Sequence, residues 1–496
     1  MPKSEHAVII AGGGPTGLML AGELALAGVD VAIVERRADT GLTGQRAGGL
    51  HARTLEIFDQ RGIADRFLAE GQKAQQTGFA GVMFDLSTMP TRHPYTLGIW
   101  QVHIERILRG WAEELGVVTY RGVEVTGFTQ DESGIDIALS DGRALRAGWL
   151  VGCDDGRSFV RKAAGIEFPG SDATTSNITG EVETSVEPPL GMHRTAVGIH
   201  GFSRSDYKII DGKIVYATSG PVRVMITEKD VGASGEPTLE QLREGLIDAF
   251  GTDYGIHSPL WLSRFTDAAR QAATYRKGRV LIAGDAAHIH PPDGGHGLQT
   301  GVQDAVNLGW KLAQVIKGVS PESLLDTYQA ERHPVTARMI RHTMASVAFR
   351  RDDDRTKAAR ETMAELLALN EPKRWMTAEN SELAIRYDFG EGHPLLGRRI
   401  PDLDLAGGGR VYEHLRDAMP VVFNFGTPGS IDIASWLDRV GLFDAAYDGT
   451  WELPDVGPVS APRAVLVRPD GHVAWVGEGT DAGLTDALGK WFGQPA

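Results

Sequence analysis

The sequence has one cysteine, no long apolar run and fewer basic than acidic residues, and each shortage excludes a class of protein. The single cysteine, Cys153, excludes an internal disulfide and a CxxC redox pair, and its place after the apolar run WLVG predicts a small buried hydrophobe. The sequence contains no stretch of about 18 apolar residues, so we predict no membrane-spanning helix. The 50 basic against 65 acidic residues give a net charge of -15, which disfavours nucleic acid as a partner.

The chain begins MPKSEHAVIIAGGG, which enters a strand-like segment with no room for a cleavable signal peptide, so we expect a cytoplasmic protein. Its 496 residues, 42% hydrophobic and 23% charged, indicate an ordinary globular protein of about three domains. We expect no membrane partner, and the sequence is compatible with both a monomer and a homodimer.

The opening segment predicts a dinucleotide-binding βαβ unit. Gly12, Gly14 and Gly17 form GxGxxG directly after the apolar strand HAVIIAG and at the start of a helix. Glu35 closes the following strand, where it would accept a hydrogen bond from a ribose hydroxyl. Because the strand, the glycine turn, the helix and the acidic residue are all present, we interpret the segment as a Rossmann-like fold.

Further along the chain, the pattern predicts helices, a hairpin and an inserted sheet. We expect a helix from about Thr54 to Glu70, a second helix around VHIERILRGWAEELG and a hairpin at Ser140–Asp141–Gly142. Between 174 and 265 strands alternate, with a hairpin turn at Asp211–Gly212 and one helix capped by Thr238 and stopped by Gly251.

The chain then returns to the nucleotide-binding domain through the buried strand GRVLIAGD and a long helix from Gly297 to Lys317. Residues 320–387 are predicted to be a helical extension, in which RRDDDR forms a solvated helix face. The division is therefore 1–173 with 266–387, 174–265 as an inserted sheet domain, and 388–496 as a C-terminal domain with the hairpin RAVLVRPDGHVAWVG.

The stretch GDAAHIHPPDGGHGLQTG, residues 284–301, has two interpretations. His288, His290 and His296, with Asp285 and Asp293, could hold a metal ion. Alternatively, prolines and glycines shape a loop, and the helix beginning near Gly297 offers its backbone N–H groups to an anion. His288 and His290 lie two residues apart on an extended loop and would point to opposite faces, so we favour the loop and expect no metal.

Together the motifs identify a resemblance. The chain resembles the single-component FAD-dependent aromatic hydroxylases of the para-hydroxybenzoate hydroxylase fold, and most of all the branch that acts on aromatic polyketides and antibiotics. The resemblance covers nearly the whole chain and rests on GGGPTG with Glu35, QRAGGLHARTLEIFDQRG, VGCDDGRSFVRKAAG, GRVLIAGDAAHIHPPDGGHGLQTGVQDAVNLGWKL, YQAERHP and LVRPDGHVAW. It implies an α/β fold with an FAD-binding domain, an inserted β-sheet substrate domain and a thioredoxin-like C-terminal domain.

The resemblance also implies which residues bind the cofactor. Asp285 would bind the ribityl chain, Arg46 and Gln101 would contact the flavin, and Val125 would face the adenine through its backbone. The full set of implied FAD-binding residues is Gly12, Gly14, Pro15, Thr16, Gly17, Glu35, Arg36, Arg46, Gln101, Val125, Asp154, Asp285, Pro292, Gly295, Gly297, Leu298 and Gln299. Pro292 through Gly295 would line the ring, and the amides of Leu298 and Gln299 would lie near its pyrimidine edge, where a reduced flavin is anionic.

The sequence departs from the family pattern at three positions. Asp155 stands where the family keeps glycine, and His296 and Gln299 stand where glutamine and asparagine are usual. These departures bear on cofactor mobility and on the electrostatics of the flavin edge. The terminal domain has no cysteine, which leaves it no thiol chemistry.

The resemblance implies a monooxygenase. NADPH or NADH would reduce FAD, oxygen would form a flavin C4a-hydroperoxide, and the distal oxygen would attack an electron-rich carbon of a bulky polycyclic aromatic substrate. No side chain is an obligatory acid or base, and Arg46 is predicted to position the flavin. The role would be polyketide tailoring or inactivation of a tetracycline or rifamycin antibiotic. The alternatives are a flavoprotein that binds or sequesters such ligands without turnover, and a nicotinamide dehydrogenase.

Overall fold

The computed structural model describes residues 4–41, 44, 47–79, 81–195, 197–210, 213–232, 235–351 and 353–495. The α-helices in these residues are α1 (Pro15–Leu26), α2 (Ala52–Gln60), α3 (Ala64–Leu68), α4 (Gln101–Glu114), α5 (Phe159–Ala163), α6 (Leu239–Phe250), α7 (His296–Ile316), α8 (Asp326–Ala348), α9 (Asp354–Leu367), α10 (Asn370–Asn380) and α11 (Leu484–Phe492). Within them, no helix combines the length and apolarity needed to cross a bilayer.

The strands up to residue 152 are β1 (Glu5–Ala11), β2 (Val31–Glu35), β3 (Gly49–Leu50), β4 (Gln72–Ala74), β5 (Gln76–Phe79), β6 (Val82–Asp85), β7 (Thr96–Gly98), β8 (Val118–Arg121), β9 (Val125–Gln130), β10 (Ile135–Leu139) and β11 (Ala144–Gly152). The next group is β12 (Gly170–Ser171), β13 (Ser176–Thr184), β14 (Gly191–Arg194), β15 (Ile199–Ser203), β16 (Tyr207–Ile210), β17 (Lys213–Tyr216), β18 (Val222–Thr227), β19 (Ile256–Thr266), β20 (Ala269–Gln271), β21 (Arg276–Lys277), β22 (Val280–Ile282) and β23 (His288–Ile289). The last are β24 (Val421–Asn424), β25 (Gly441–Asp444), β26 (Trp451–Leu453), β27 (Gly457–Val459), β28 (Ala464–Val467) and β29 (Val473–Gly477).

The largest sheet has the strand order β21-β22-β11-β1-β2-β8, and β10 and β9 extend it from β11. β1 is parallel to both β2 and β11, and its residues Val8 to Ile10 are fully buried. The continuous apolar run of β1 is therefore that of a strand covered on both faces. The carboxyl ends of β1, β2, β11 and β22 meet at one edge, which is where ligands bind in open α/β sheets.

Two predicted helical features are wrong in detail. The helix expected from Thr54 to Glu70 is divided into α2 and α3, because Gly62 adopts a left-handed φ of 69° that ends the first helix. The described residues of RRDDDR do not form one helix face, since Arg350 and Arg351 follow the end of α8 and Asp354 begins α9. Asp353 instead caps α9 by accepting a hydrogen bond from the amide of Thr356 at 2.9 Å.

A five-stranded antiparallel sheet lies between residues 176 and 266, in the order β14-β15-β18-β13-β19. Its apolar face packs against α6 through residues such as Val182, Val224 and Leu242. As predicted, Thr238 caps α6, in a capping box with Gln241, and Gly251 ends it at φ 72°. β16 and β17 pair as a hairpin, although its predicted Asp211–Gly212 turn lies outside the described residues.

Helices α8, α9 and α10 lead into a four-stranded sheet of order β25-β24-β28-β29. The predicted hairpin at RPDG is confirmed, because β28 and β29 pair in antiparallel register. This hairpin is attached to the FAD-binding segment by buried charges: Arg468 donates to Glu331 of α8 at 2.7 Å, and Lys311 of α7 donates to the same carboxylate at 3.0 Å. The C-terminal sheet is thereby joined to the two long helices.

Candidate active site

The glycine turn after β1 is tightly packed at Gly12 and Gly17 and open at Gly14. Gly12 has φ 107°, and a Cβ there would lie 2.2 Å from the carbonyl oxygen of Cys153. A Cβ on Gly17 would lie 2.0 Å from the carbonyl oxygen of Gly12. At Gly14, apart from its chain neighbours, no atom of the described residues comes within 4 Å of the corresponding point, and none of their side chains caps α1, which begins with Pro15. The turn therefore leaves space for an anion at the N-terminus of α1.

Glu35, at the end of β2, lies against this turn. Its Oε2 accepts a hydrogen bond from the amide of Gly13 at 2.7 Å, and its Oε1 accepts one from the amide of Arg37 at 2.8 Å. Burial raises the pKa of Glu35, but the bonds from Arg37 and Gly13 outweigh burial, so the net pKa is lowered. Glu35 is therefore an ionised acceptor beside the place where a dinucleotide ribose would lie.

A chain of polar contacts runs from Glu35 to the loop that carries Arg46. Arg37 donates to Glu105 of α4 at 2.8 Å, and Gln101 donates to the same carboxylate at 2.8 Å. Gln101 in turn accepts a hydrogen bond from the amide of Ala47 at 3.2 Å. Arg46 itself lies outside the described residues. Arg37, which sequence reasoning missed, makes these contacts, whereas the predicted ligand Arg36 is exposed.

The turn after β11 explains one departure from the family pattern. Asp155 has φ 72°, a left-handed conformation that favours glycine, which accounts for the glycine usual at this position. Its Oδ1 accepts a hydrogen bond from the amide of Gly156 at 2.7 Å. Asp154, predicted to bind the cofactor, accepts from the hydroxyl of Ser158 at 2.5 Å and from the amide of Val160 at 3.0 Å. Its carboxylate therefore organises the start of α5.

The GDAAH segment meets the glycine turn through Thr16 of α1. A Cβ on Gly284 or on Gly301 of α7 would lie 2.7 or 2.2 Å from the Thr16 hydroxyl oxygen, so all three backbones approach closely. Asp285 is exposed in the short 3-10 helix Gly284–Ala286, and its Oδ1 lies 3.9 Å from the Cβ position of Gly297. The structure thus brings Asp285 and the N-terminus of α7 together, as the sequence predicts.

The N-terminus of α7 is a second position at which the protein can stabilise a negative charge. Gly295 precedes the helix at φ 71° without a side-chain cap, and Gly297 and Leu298 are half-buried in its first turn. Burial lowers the pKa of His290, which lies against Gly297, to about 3, so this imidazole is neutral. His290 therefore adds no positive charge at this point, and the α7 dipole supplies the positive potential.

Pro292 is exposed at the start of the turn before α7, and Gln299 attaches this turn to β3. The amide of Gln299 donates to the carbonyl of Gly49 at 2.8 Å and to that of Gly295 at 3.3 Å, and its Oε1 accepts from the amide of His51 at 3.2 Å. Gln299, the second departure from the family pattern, thus uses its side chain to hold the turn. Val125 lies buried at the start of β9.

Two polar residues of the 284–301 segment have protein partners. His288 lies 2.6 Å from Asp304 Oδ2, and Arg332 donates to the other oxygen of Asp304 at 2.7 Å. All three side chains are buried. Asp293 pairs with Arg350. Because His288 and Asp293 point to different partners, these two residues do not converge on one ion.

Aromatic residues of the inserted sheet domain, together with Trp100 before α4, lie against Gly44 and Gly48, and sequence reasoning did not find them. The Trp100 ring contacts Tyr207 edge to face with centroids 5.9 Å apart, and the guanidinium of Arg223 lies 5.0 Å from the Trp100 ring and 5.8 Å from that of Trp261. Cβ positions on Gly44 and Gly48 would lie 3.0 Å from Trp261 and 3.1 Å from Trp100. These four side chains, here called the aromatic wall, come from segments far apart in sequence.

The donors and spaces at this edge fit FAD. The open side of Gly14 and the uncapped α1 suit the pyrophosphate, Glu35 suits the ribose, and the uncapped α7 suits the flavin pyrimidine edge. Cys153 is free, and burial raises the pKa of its thiol well above the ordinary value, so it stays protonated as a packing residue.

Comparison with known proteins agrees with this geometry. The FAD binding domain family matches residues 5–343, and the aromatic-ring hydroxylase C-terminal family matches residues 393–495. Rifampicin monooxygenase from Streptomyces venezuelae is 43% identical, with 98% of each chain covered. The 12-dehydrotetracycline 5-monooxygenase/anhydrotetracycline 6-monooxygenase of Streptomyces rimosus is 42% identical over 99% of each chain.

Among solved structures, the OxyS anhydrotetracycline hydroxylase from Streptomyces rimosus superposes with a TM-score of 0.88 at 40% identity, covering 99% of this chain and 100% of that one. The flavin and fold predictions are thereby confirmed, and the nicotinamide dehydrogenase alternative is wrong. The cofactor geometry and these similarities lead to one conclusion: this chain belongs to the FAD-dependent aromatic-ring hydroxylases.

Proposed function

We propose that this monooxygenase hydroxylates a bulky polycyclic aromatic compound of the tetracycline or rifamycin kind, with NADPH or NADH as reductant and O2 as oxidant. The relatives named after rifampicin and anhydrotetracycline support this substrate class. The reaction would either tailor a polyketide during its biosynthesis or inactivate an antibiotic.

The observation that carries the proposal is the aromatic wall. Trp100, Tyr207 and Trp261 offer ring faces and edges next to Gly44 and Gly48, which flank Arg46 in sequence. Rings of this size stack well on a polycyclic ligand. Arg223 lies over two of these rings, and burial lowers its pKa, although it remains a cation at neutral pH. A cation among aromatic rings suits a substrate carrying a phenolate or enolate.

FAD, when bound, supplies the electron transfer and oxygen activation. The chain's own residues bind and orient: Gly13 and Glu35 fix the nucleotide end, and the amides at the start of α7 stabilise negative charge at the flavin edge. His290 is neutral and adds no positive charge of its own there. The inserted sheet, placed over the loop, would exclude water from the reacting face.

We also propose the division into an FAD-binding unit of 1–173 and 266–387, a substrate sheet of 174–265 and a C-terminal unit of 388–496. Support comes from the three main sheets, each of which has its own apolar core. The predicted FAD ligands remain part of this proposal.

The experiment is NADPH oxidation by the FAD-loaded enzyme with a panel of rifamycins, tetracycline precursors and simple monocyclic phenols, followed by mass analysis of products. We expect only polycyclic compounds to stimulate oxidation and to gain the mass of one oxygen atom. Trp261→Ala should raise KM for the best substrate more than it lowers kcat, because it removes ground-state stacking. Turnover of monocyclic phenols alone would contradict the proposal.

A further inference from the structure

Two histidines and a glutamate meet in a buried cluster behind the α7 turn. His51 precedes α2, His296 begins α7, and Glu382 follows α10. Their relative exposures are 8%, 4% and 6%, and one candidate ligand atom from each lies within 4.8 Å of the others. We call this the His51–His296–Glu382 cluster. Of the candidate metal ligands that the 284–301 segment suggests, the cluster contains only His296. His51 and Glu382 lie far from that segment in the sequence.

The nitrogen atoms converge on one carboxylate oxygen. Nδ1 of His296 lies 2.9 Å from Glu382 Oε1, and Nδ1 of His51 lies 3.5 Å from the same oxygen. In a tetrahedral site with ligands about 2.0 Å from zinc, ligand atoms are about 3.3 Å apart. The two separations bracket that value, and an ion bound here would replace the hydrogen bond between His296 Nδ1 and Glu382 Oε1.

The tautomer of His51 provides an independent indication. Its Nε2 lies 2.9 Å from the carbonyl oxygen of Gly294, which can only accept, so Nε2 carries the hydrogen. In the neutral ring, Nδ1 then presents a lone pair, and this buried atom has no hydrogen-bond partner. It faces Oε1 of Glu382, an acceptor whose other contact is His296 Nδ1 at 2.9 Å. Two buried acceptors facing each other are stabilised when a cation lies between them.

The outer contacts resemble those around metal ligands, in which the second nitrogen of a histidine donates to a carbonyl and the carboxylate accepts a hydrogen bond. Gly294 accepts from His51, and Gln303 donates to the second oxygen of Glu382. Glu382 has φ 62°, an uncommon conformation for a residue with a side chain. A strained buried residue that points into a cluster of ligands is characteristic of a functional position.

We propose that the His51–His296–Glu382 cluster binds one divalent cation of the zinc class, through two imidazole nitrogens and one carboxylate oxygen. These ligands suit zinc and similar borderline ions, and a fourth position is left for water. The ion would fix His51 and, through it, the Gly294 carbonyl in the turn before α7. This proposal does not depend on the substrate proposed above. The rival explanation for the close approach of His51 and Glu382 is a proton that the two side chains share.

The test uses tag-free protein expressed in zinc-supplemented medium, so that the buried site fills during folding. After a wash with EDTA to remove exposed ions, metal is measured per bound FAD. We expect about one equivalent in the wild type and less than a tenth in His51→Asn, His296→Gln and Glu382→Gln. His333→Gln, which removes a half-buried histidine outside the cluster, serves as the matched control and should retain the ion.

Expression with cobalt instead of zinc gives a measurement that needs no variant. A low-symmetry cobalt site with two nitrogen ligands should produce visible absorption, read as a difference spectrum after FAD removal. A wild type that holds less than a tenth of an equivalent of any divalent cation overturns the proposal and favours the shared proton. So does an ion that remains at full occupancy in a folded Glu382→Gln variant.

Discussion

Glu35 accepts a hydrogen bond from the amide of Gly13 at 2.7 Å, so the end of the second strand and the glycine turn form one unit. The bond orients a charged oxygen toward the open side of the turn. Hydrogen bonds continue from Glu35 through Arg37, Glu105 and Gln101 to Ala47, the neighbour of Arg46 in sequence. The turn predicted to bind the cofactor is therefore connected to the segment predicted to position the flavin.

Glu35→Ala should weaken FAD binding about ten- to hundredfold, because it removes a charged acceptor worth about 1.5–3 kcal/mol. Flavin fluorescence titration measures the change. Glu244→Ala, which removes an exposed carboxylate on α6, is the control. If the two variants bind FAD with equal affinity, Glu35 is not part of the cofactor site.

Asp285→Ala should also weaken FAD about ten- to hundredfold, since a charge-assisted hydrogen bond to the ribityl chain is lost. Asp172→Ala, at an exposed aspartate paired with Arg270, should leave affinity unchanged. Calorimetric titration of both apoproteins with FAD makes the comparison. An unchanged Kd in Asp285→Ala would show that the assignment is wrong.

Arg46→Ala should keep FAD bound, because the phosphate and ribose contacts lie elsewhere, yet uncouple the reaction. A cation at the ring is predicted to hold it in place, and its loss should loosen the ring position by about 1–3 kcal/mol. The variant should consume NADPH while releasing hydrogen peroxide in place of product. The measurement is the ratio of product to NADPH at equal FAD occupancy, with Arg143→Ala on the remote β10–β11 hairpin as control. An unchanged ratio would contradict the role.

Glu331 should make stability depend on pH. Burial raises the pKa of Glu331, but Arg468 and Lys311 outweigh burial and lower it to about 2. A carboxyl with a lowered folded pKa contributes stability that is complete above its ordinary pKa of 4.5 and is lost as pH falls toward about 2.

At neutral pH, Glu331→Gln should therefore destabilise the fold by about 3–5 kcal/mol, because it leaves Lys311 buried without its paired carboxylate and Arg468 with Asp470 as its remaining partner. The gap in Tm between wild type and variant should narrow as pH falls below 4.5, and thermal unfolding over that range measures it. A difference in Tm between wild type and variant that grew as the pH fell would contradict the predicted direction of this pH dependence.

The sequence was sufficient for features that rest on local chemistry. The GxGxxG turn, the capping of α6 by Thr238 and the hairpin at RPDG each depend on residues close together in the chain. The aromatic wall and the His51–His296–Glu382 cluster depend on contacts between distant segments, which no local pattern records. Asp155 shows the intermediate case, because only its φ of 72° explains why the family keeps glycine there.

The most direct test of the central claim is turnover of a polycyclic substrate by FAD-loaded enzyme with NADPH under 18O2. The account predicts product carrying one 18O atom, formed in a ratio to consumed NADPH that approaches one. Substrate that is bound or converted without NADPH consumption, or product whose new oxygen comes from water, would contradict it.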